Sequence, residues 1–500
     1  MSADSRWAVA GLADTGGAVE SRECNECLLP IGGGWFRKTS ANVELLRRLW
    51  HQVGMQHALR RSFVAIVGSA GACLAQDPQQ PSGQQTPELT RPFTGNSIGP
   101  FRNLNISLDL LTAVGGSSER DAQIAELQGG EHDPRKRGFT IQQAELQVNG
   151  EVDEWFTAQA VMVMFLEPDS GETVVELEEA FLQTSNLANG FQAKVGHYFT
   201  EFGRVNPLHP HAWDWQDQPV ILSRVFGPEG MRAPGARVSW LAPTHQYLEF
   251  FVAGQNGNGG TMSSFLASEE AYEEGGIGGR FFNYGSDGAR SGGDVVWSGR
   301  VATTFHMGPD AALGVGASVA FGPNATGPAA DTTITGVDFA YQSRPADAVG
   351  VTGFVRLQGE YVWRDFDAGR QVDTDTTGNP VLPGETLKDH GGYLYGLVGW
   401  DNGFACGVRC DLASGSSQSY LGGGSFGRAA DAARTDRLRI SPLVQYQISP
   451  FSRMRLQYNY DDSDHLPGRA HSVWLGFEIL LGSQPASRTG RDGLSGCSCR

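Results

Sequence analysis

The stretch HSVWLGFEILLG, residues 471–482, sends Val473, Leu475, Phe477, Ile479 and Leu481 to one side of an extended chain and Ser472, Gly476 and Glu478 to the other. Period two is the pattern of a strand with one apolar face. The segment before it, RMRLQYNY, sets Met454, Leu456, Tyr458 and Tyr460 against Arg453, Arg455, Gln457 and Asn459. Further back, RLRISPLVQYQI separates Leu438, Ile440, Val444 and Tyr446 from Arg437, Arg439, Gln445 and Gln447. LGVGASVAF does the same with Leu313, Val315, Ala317, Val319 and Phe321 against Gly314, Gly316, Ser318 and Ala320.

Working outward, the same alternation places strands at about 103–112, 139–148, 155–166, 174–184, 191–199, 235–242, 246–254, 295–305, 311–321, 332–341, 350–364, 390–400, 404–412, 436–447, 452–460 and 470–481. A seventeenth over 277–285 is the main ambiguity. A soluble sandwich would alternate too, so the connections decide. Links at 113–138, 167–173, 200–234, 255–294, 365–389 and 413–435 are long or rich in Gly and Asp. Those between them are tight: NGEVDE, SNLANG, APTH, MGPD, DNGF and SPFS. Long loops at one end, short turns at the other and an even strand count describe a closed antiparallel transmembrane β-barrel of about sixteen strands over residues 101–482. Trp155, Trp240, Trp297, Trp363 and Trp400 fall near strand ends, where interfacial girdles or ordinary strand preference would put them.

The totals agree with this reading. No run of eighteen apolar residues occurs in the 500, which excludes a helical membrane protein. A mean hydropathy of -0.28 suits a wall in which only alternate residues face lipid. A net charge of -17 excludes nucleic acid as a partner, because binding it needs a concentrated basic surface. Of seven cysteines, Cys24 and Cys27 form a lone CNEC with no second pair to complete a zinc site. Cys406 and Cys410 share the face of Phe404, Val408 and Leu412; about 13 Å of extended chain between them precludes a mutual bridge.

Residues 55–75 have the layout of a secretory signal peptide: Arg60 and Arg61, an apolar stretch from Ser62 to Ala72, then small residues Cys73 and Ala75 at the cleavage positions. Residues 1–54 are expected to be an upstream extension, 76–100 a Pro/Gln-rich linker, and 483–500 a disordered tail.

GFTIQQAELQVNGEVDEWFTAQAVMVM (138–164), VELEEAF (175–181), KVGHYFTEFGR (194–204) and NPLHPHAWDW (206–215), together with QYNYDDSD and HSVWLGFEILLG near the end, resemble the bacterial outer-membrane proteins grouped with the phosphate-selective porins O and P. The similarity covers most of 100–484. It implies a sixteen-stranded, porin-like barrel in a Gram-negative outer membrane, often a homotrimer, whose third long loop folds inward and narrows the pore. Phosphate selectivity does not transfer with it. The tail beyond the last strand and the long N-terminal extension depart from the group.

If the apolar face meets lipid, the other face lines the lumen. Its cations are Lys194, Arg237, Arg300, Arg356, Arg409, Arg437, Arg439, Arg453 and Arg455; its acids are Glu145, Glu176, Glu178, Glu249, Asp338, Glu360, Asp411 and Glu478. A basic wall favours anions such as phosphate, unless these arginines pair with lumenal acids and only brace the barrel. In the 200–234 loop, Arg204, Asn206, His209, His211, Asp214, Asp217, Arg224 and Arg232 are the constriction candidates. His209, His211 and Asp214 offer a zinc-type donor set. Two histidines two apart in a Pro-rich loop more often form hydrogen bonds, so no metal and no cofactor is expected.

Catalytic signatures are scarce in the sequence: GGGSFG (422–427) lacks the Lys-Ser/Thr of a phosphate loop, and HExxH does not occur. The expectation is passive diffusion of small hydrophilic solutes or ions, and no enzyme. The alternative is a barrel with a plugged lumen in a structural, receptor or metal-uptake role. A gated receptor needs about 22 strands and a separate plug domain, which this length does not hold.

Overall fold

The computed structural model describes residues 104–482, except 168–169, 186, 274–275, 284–293, 309, 345–352, 374–380 and 422–423. The expected extension, signal peptide, linker and tail lie outside the described residues.

Sixteen strands form one closed sheet. They are β1 (Asn105–Ser117), β2 (Gly138–Glu151), β3 (Phe156–Leu166), β4 (Thr173–Thr184), β5 (Phe191–Phe199), β6 (Arg232–Leu241), β7 (Tyr247–Asn256) and β8 (Val295–His306). The second half comprises β9 (Ala311–Pro323), β10 (Asp331–Ser343), β11 (Phe354–Ala368), β12 (Glu385–Gly399), β13 (Phe404–Gly415), β14 (Arg437–Ser449), β15 (Ser452–Ser463) and β16 (Ala470–Gly482). Each pairs antiparallel with its neighbour in sequence, and β16 closes on β1, with Leu110 opposite Ile479 and Val114 opposite Leu475.

Every expected barrel strand is present, but several run further on the long-loop side: β1 to Ser117, β11 to Ala368, β12 from Glu385. There the outward face changes from Trp363 to Asp365 and Asp367, so both faces meet water and the apolar signal fades. No seventeenth strand forms in the described part of 277–285. Ile277–Gly279 is a single 3-10 turn, with Gly278 and Gly279 at φ 64° and 73°, a left-handed bend that breaks an extended run.

The wall is inverted relative to a soluble domain. Val473, Leu475, Phe477, Ile479 and Leu481 of β16 are 37–60% exposed, while Ser472, Trp474, Glu478 and Leu480 are buried inside. Cys406 and Cys410 lie on the outward side of β13, Cys406 exposed and Cys410 partly so. Outward aromatics gather toward both strand ends. Phe191, Trp240 and Phe250 stack on the turn side, where Phe404 and Tyr446 pack at a tilt; Tyr361 and Trp363 pack together on the loop side.

Among the described strands the register slips three times, once beside the β14–β15 turn at Gln447/Ser449 and twice within the wall. Between β1 and β2 the register slips at Leu111/Thr112, and Gln142 and Gln143 are both buried. Between β3 and β4 it slips at Val161/Met162, and Glu178 and Glu179 are both buried. An extra residue in one strand leaves two consecutive side chains on one face.

The 200–231 segment between β5 and β6 folds into the barrel and carries a helix, α1 (Val220–Phe226). Its Phe202, Trp215, Ile221, Leu222 and Phe226 pack with Met262 and Phe265 of the next long loop against inward Val362, Tyr393 and Leu397. A dry core therefore sits inside a cylinder whose apolar side chains are otherwise outside.

Candidate functional site in the barrel lumen

The inward segment is rigid for local reasons. Pro210 opens the 3-10 turn Pro210–Ala212, Pro219 precedes α1, and Gly227 ends it at φ 84°. Gly203, at φ 62°, lies where any side chain would strike the Glu360 carboxylate. That close approach lets Val205 N–H donate to Glu360 Oε1 at 2.9 Å and Gly203 N–H to Ser318 Oγ at 3.1 Å.

From there the chain crosses the lumen, meeting a different stretch of wall at almost every residue. Arg204 Nε lies 3.1 Å from Asp338 on β10. Asn206 donates to the carbonyls of Thr200 and Met231 and closes the neck of the loop. His209 reaches β4, with Nδ1 2.8 Å from Glu178 and Nε2 3.1 Å from Glu179; His211 Nδ1 is 2.9 Å from Glu145 on β2. Asp214 accepts from Arg356 (2.7 Å) on β11 and from Tyr395 Oη (2.8 Å) on β12. Trp215 Nε1 donates to the Ser441 carbonyl of β14. Asp217 accepts from Arg409 (2.7 Å), Arg439 (2.9 Å) and Asn459 (2.7 Å) on β13, β14 and β15.

The charges are matched to these positions. Burial opposes ionisation of Asp217, but Arg409 and Arg439 hold its carboxyl down at about 2. Burial likewise opposes a charge on His209, yet the Glu178 and Glu145 carboxylates keep its pKa well above the usual imidazole value. Asp214 is held below the ordinary carboxylate range by Arg356, again against burial. Asp133, on the loop after β1, is pushed up to about 7 by burial and the nearby Asp217 charge.

Each of the nine cations expected to line the lumen faces a carboxylate. Lys194 and Arg237 meet Glu201; Arg300 meets Asp338; Arg356 meets Asp214. Arg409 meets Asp217 and Asp411, Arg437 and Arg439 meet Asp461, and Arg453 and Arg455 meet Glu478. The Arg356 side chain keeps 31% of its surface, the others 10% or less. Of the loop candidates, Arg224 donates to the Thr435 carbonyl, and Arg232, at the start of β6, pairs with Glu176 and Glu229. Inward polar side chains that keep partial exposure, among them Gln159, Gln183, Gln192, Glu249, Gln342 and Arg356, gather on the turn-side half of the barrel, whereas the core described above fills part of the loop-side half.

The donor set His209, His211 and Asp214 does not assemble, because Asp214 is committed to Arg356 and Tyr395. Glu145 and Glu178 take its place, each offering a ligand atom within 4.8 Å of one on His209. Glu179 was invisible to period-two reading, since the bulge alone turns it inward. The 142–143 pair was hidden for the same reason.

No family model matches the chain. It is 28% identical over 400 residues to an uncharacterized protein of Aquifex aeolicus (strain VF5), covering 73% of this chain and 74% of that one. Among solved structures it is similar to the outer membrane channel DcaP of Acinetobacter baumannii, with a TM-score of 0.47 and 11% identity over 76% of this chain and 97% of the other. It is also similar to the anion-selective porin from Comamonas acidovorans, with a TM-score of 0.46 and 10% identity over 76% and 99% of the two chains.

Proposed function

We propose that the chain is a bacterial outer-membrane channel that lets small hydrophilic solutes or ions diffuse passively across a constriction made by residues 200–231. One observation carries the reading: a closed sixteen-stranded wall with apolar side chains outward around its circumference, polar ones inward, and a loop folded into the middle. An unbroken outward apolar face is stable against hydrocarbon, and closure leaves no unpaired strand edge there. A homotrimer belongs to the same reading, with chemical cross-linking in mild detergent as its check.

Anion preference rests on a narrower base. A cation locked to its own carboxylate adds little net field, so the nine-residue basic wall is largely neutralised. Arg356 is the member still open to solvent, and any phosphate-like preference falls to it. The plugged alternative is favoured by the dry core around Trp215, Ile221 and Phe226 inside the barrel. Planar-bilayer recording separates the two: steady ohmic steps are expected, and a folded protein that inserts without any steps would replace the channel reading by the plugged one. Reversal potentials in chloride, phosphate and potassium gradients then report ion preference.

A further inference from the structure

We propose that His209, Glu145 and Glu178 bind a divalent first-row transition ion, such as Zn²⁺, between the inward loop and the barrel wall. His209 Nδ1 lies 2.8 Å from Glu178 Oε2 and 3.6 Å from Glu145 Oε2. Ligands at about 2.1 Å from a metal stand roughly 3.0 Å apart in an octahedron and 3.4 Å in a tetrahedron. The two spacings to His209 bracket those edges, and the three ligand atoms all lie within 4.8 Å of one another, so side-chain shifts suffice to admit an ion.

The surroundings match what a metal-bound imidazole needs. The far nitrogen, Nε2, lies 3.1 Å from Glu179 Oε2. A carboxylate accepting the second N–H fixes the ring and raises its basicity toward the ion. Glu145 Oε2 is also met by His211 Nδ1 at 2.9 Å, which orients that carboxylate. The ion takes the place of the proton on His209 Nδ1, so that two carboxylates and a neutral imidazole present it with two negative charges in a region closed to bulk solvent.

An independent observation lies beside the cluster. His132 is 5% exposed, and its Nε2 has no hydrogen-bond partner among the described residues. Its Nδ1 faces the Gln142 carbonyl at 3.3 Å, which places the ring proton there and leaves a lone pair on Nε2. His132 and Glu178 line one small cavity of about 20 Å³, room for about one water. A water completing the ion's coordination there has an acceptor waiting in His132.

This site does not depend on whether the lumen conducts. Its effect is to fasten the 209–211 segment to β2 and β4, whose two bulges turn extra polar side chains toward it. The test is Co²⁺ titration of the full-length protein in detergent, followed by absorption and by competition with Zn²⁺, Mg²⁺ and Ca²⁺. Expected are one Co²⁺ per chain, visible d–d bands, displacement by Zn²⁺ but not by Mg²⁺ or Ca²⁺, and no sulfur charge-transfer band, which the cysteines would give. Glu178→Gln and Glu145→Gln should abolish stoichiometric binding while retaining the heat-modifiable gel shift of a folded barrel. Glu179→Gln should weaken binding by about 10–100-fold. If the folded wild-type protein takes up no Co²⁺ or Zn²⁺, or binds equally well with Glu178→Gln, the proposal fails. A failure of conductance alone would overturn the channel reading and leave this one standing.

Discussion

At the scale of single residues, Asp217 shows how the lumen is held together. It is 1% exposed and answers two arginines from adjacent strands. Removing one partner of a buried pair leaves the other charges uncompensated, at about 3–5 kcal/mol. Asp217→Ala is therefore expected to lower resistance to guanidinium by an amount in that range, whereas Asp462→Ala, on the solvent-facing end of β15, should change it little. Glu229 makes a pH prediction. Burial, opposed by Arg232 and reinforced by Glu176 and Glu131, pushes its carboxyl up to about 8 from an ordinary 4.5. A carboxyl raised in the folded state supports that state most below its unfolded value, and the contribution drains away as pH rises through the folded value. Protease protection of the loop should thus decline between pH 4.5 and about 8, and Glu229→Gln should flatten the decline. A wild-type profile that rises over this window would contradict the assignment.

At the scale of elements, the strands were legible because hydrocarbon and water impose opposite demands on alternate residues. Leu456, outward and 48% exposed, and Gln457, inward and fully buried, differ in just this way. Leu456→Arg should cost about 2–4 kcal/mol in a bilayer, measurable as a shifted folding midpoint in lipid vesicles. The bulges escaped detection because one inserted residue changes nothing in composition; only the pairing of Glu179 with Val161 and of Leu177 with Met162 exposes it. The loop was legible in part. The resemblance, rather than the loop's own composition, pointed to a segment that folds inward, and the polar-aromatic cluster pointed to its histidines. Their true partners come from β2 and β4, some 30 to 66 residues away in sequence, and no local pattern encodes that distance. The α1 helix was also hidden, since VILSRVF is seven residues long and apolar on nearly all sides. Phe226, 2% exposed within the inner core, is the place to loosen it. Phe226→Ala should weaken docking of the loop by about 3–5 kcal/mol and raise single-channel conductance. Unchanged conductance with proven loop release would place the narrowest point elsewhere.

At the scale of the whole molecule, charge is distributed so that the lumen is internally balanced. Eight basic and six acidic residues precede position 77, leaving 30 and 49 beyond it, yet the wall arginines are each matched. The surplus acid therefore lies outside the strand pairs just described, as in the 269–270 and 153–154 glutamates and aspartates of loops and turns. A channel built this way is expected to discriminate weakly by charge, with Arg356→Ala moving the reversal potential toward cations and Arg437→Ala leaving it in place. A shift of equal size from both variants would mean that paired arginines still shape the field.

The seam between β1 and β16 dictates the order of events in the making of the protein. Two strands separated by the whole cylinder in sequence must find each other before the sheet closes, so every shorter intermediate carries two raw margins ready to stick to something else. Assembly therefore waits for the final segment, and a chain cut before Ala470 should be recovered as proteolysed or aggregated material rather than as a smaller cylinder.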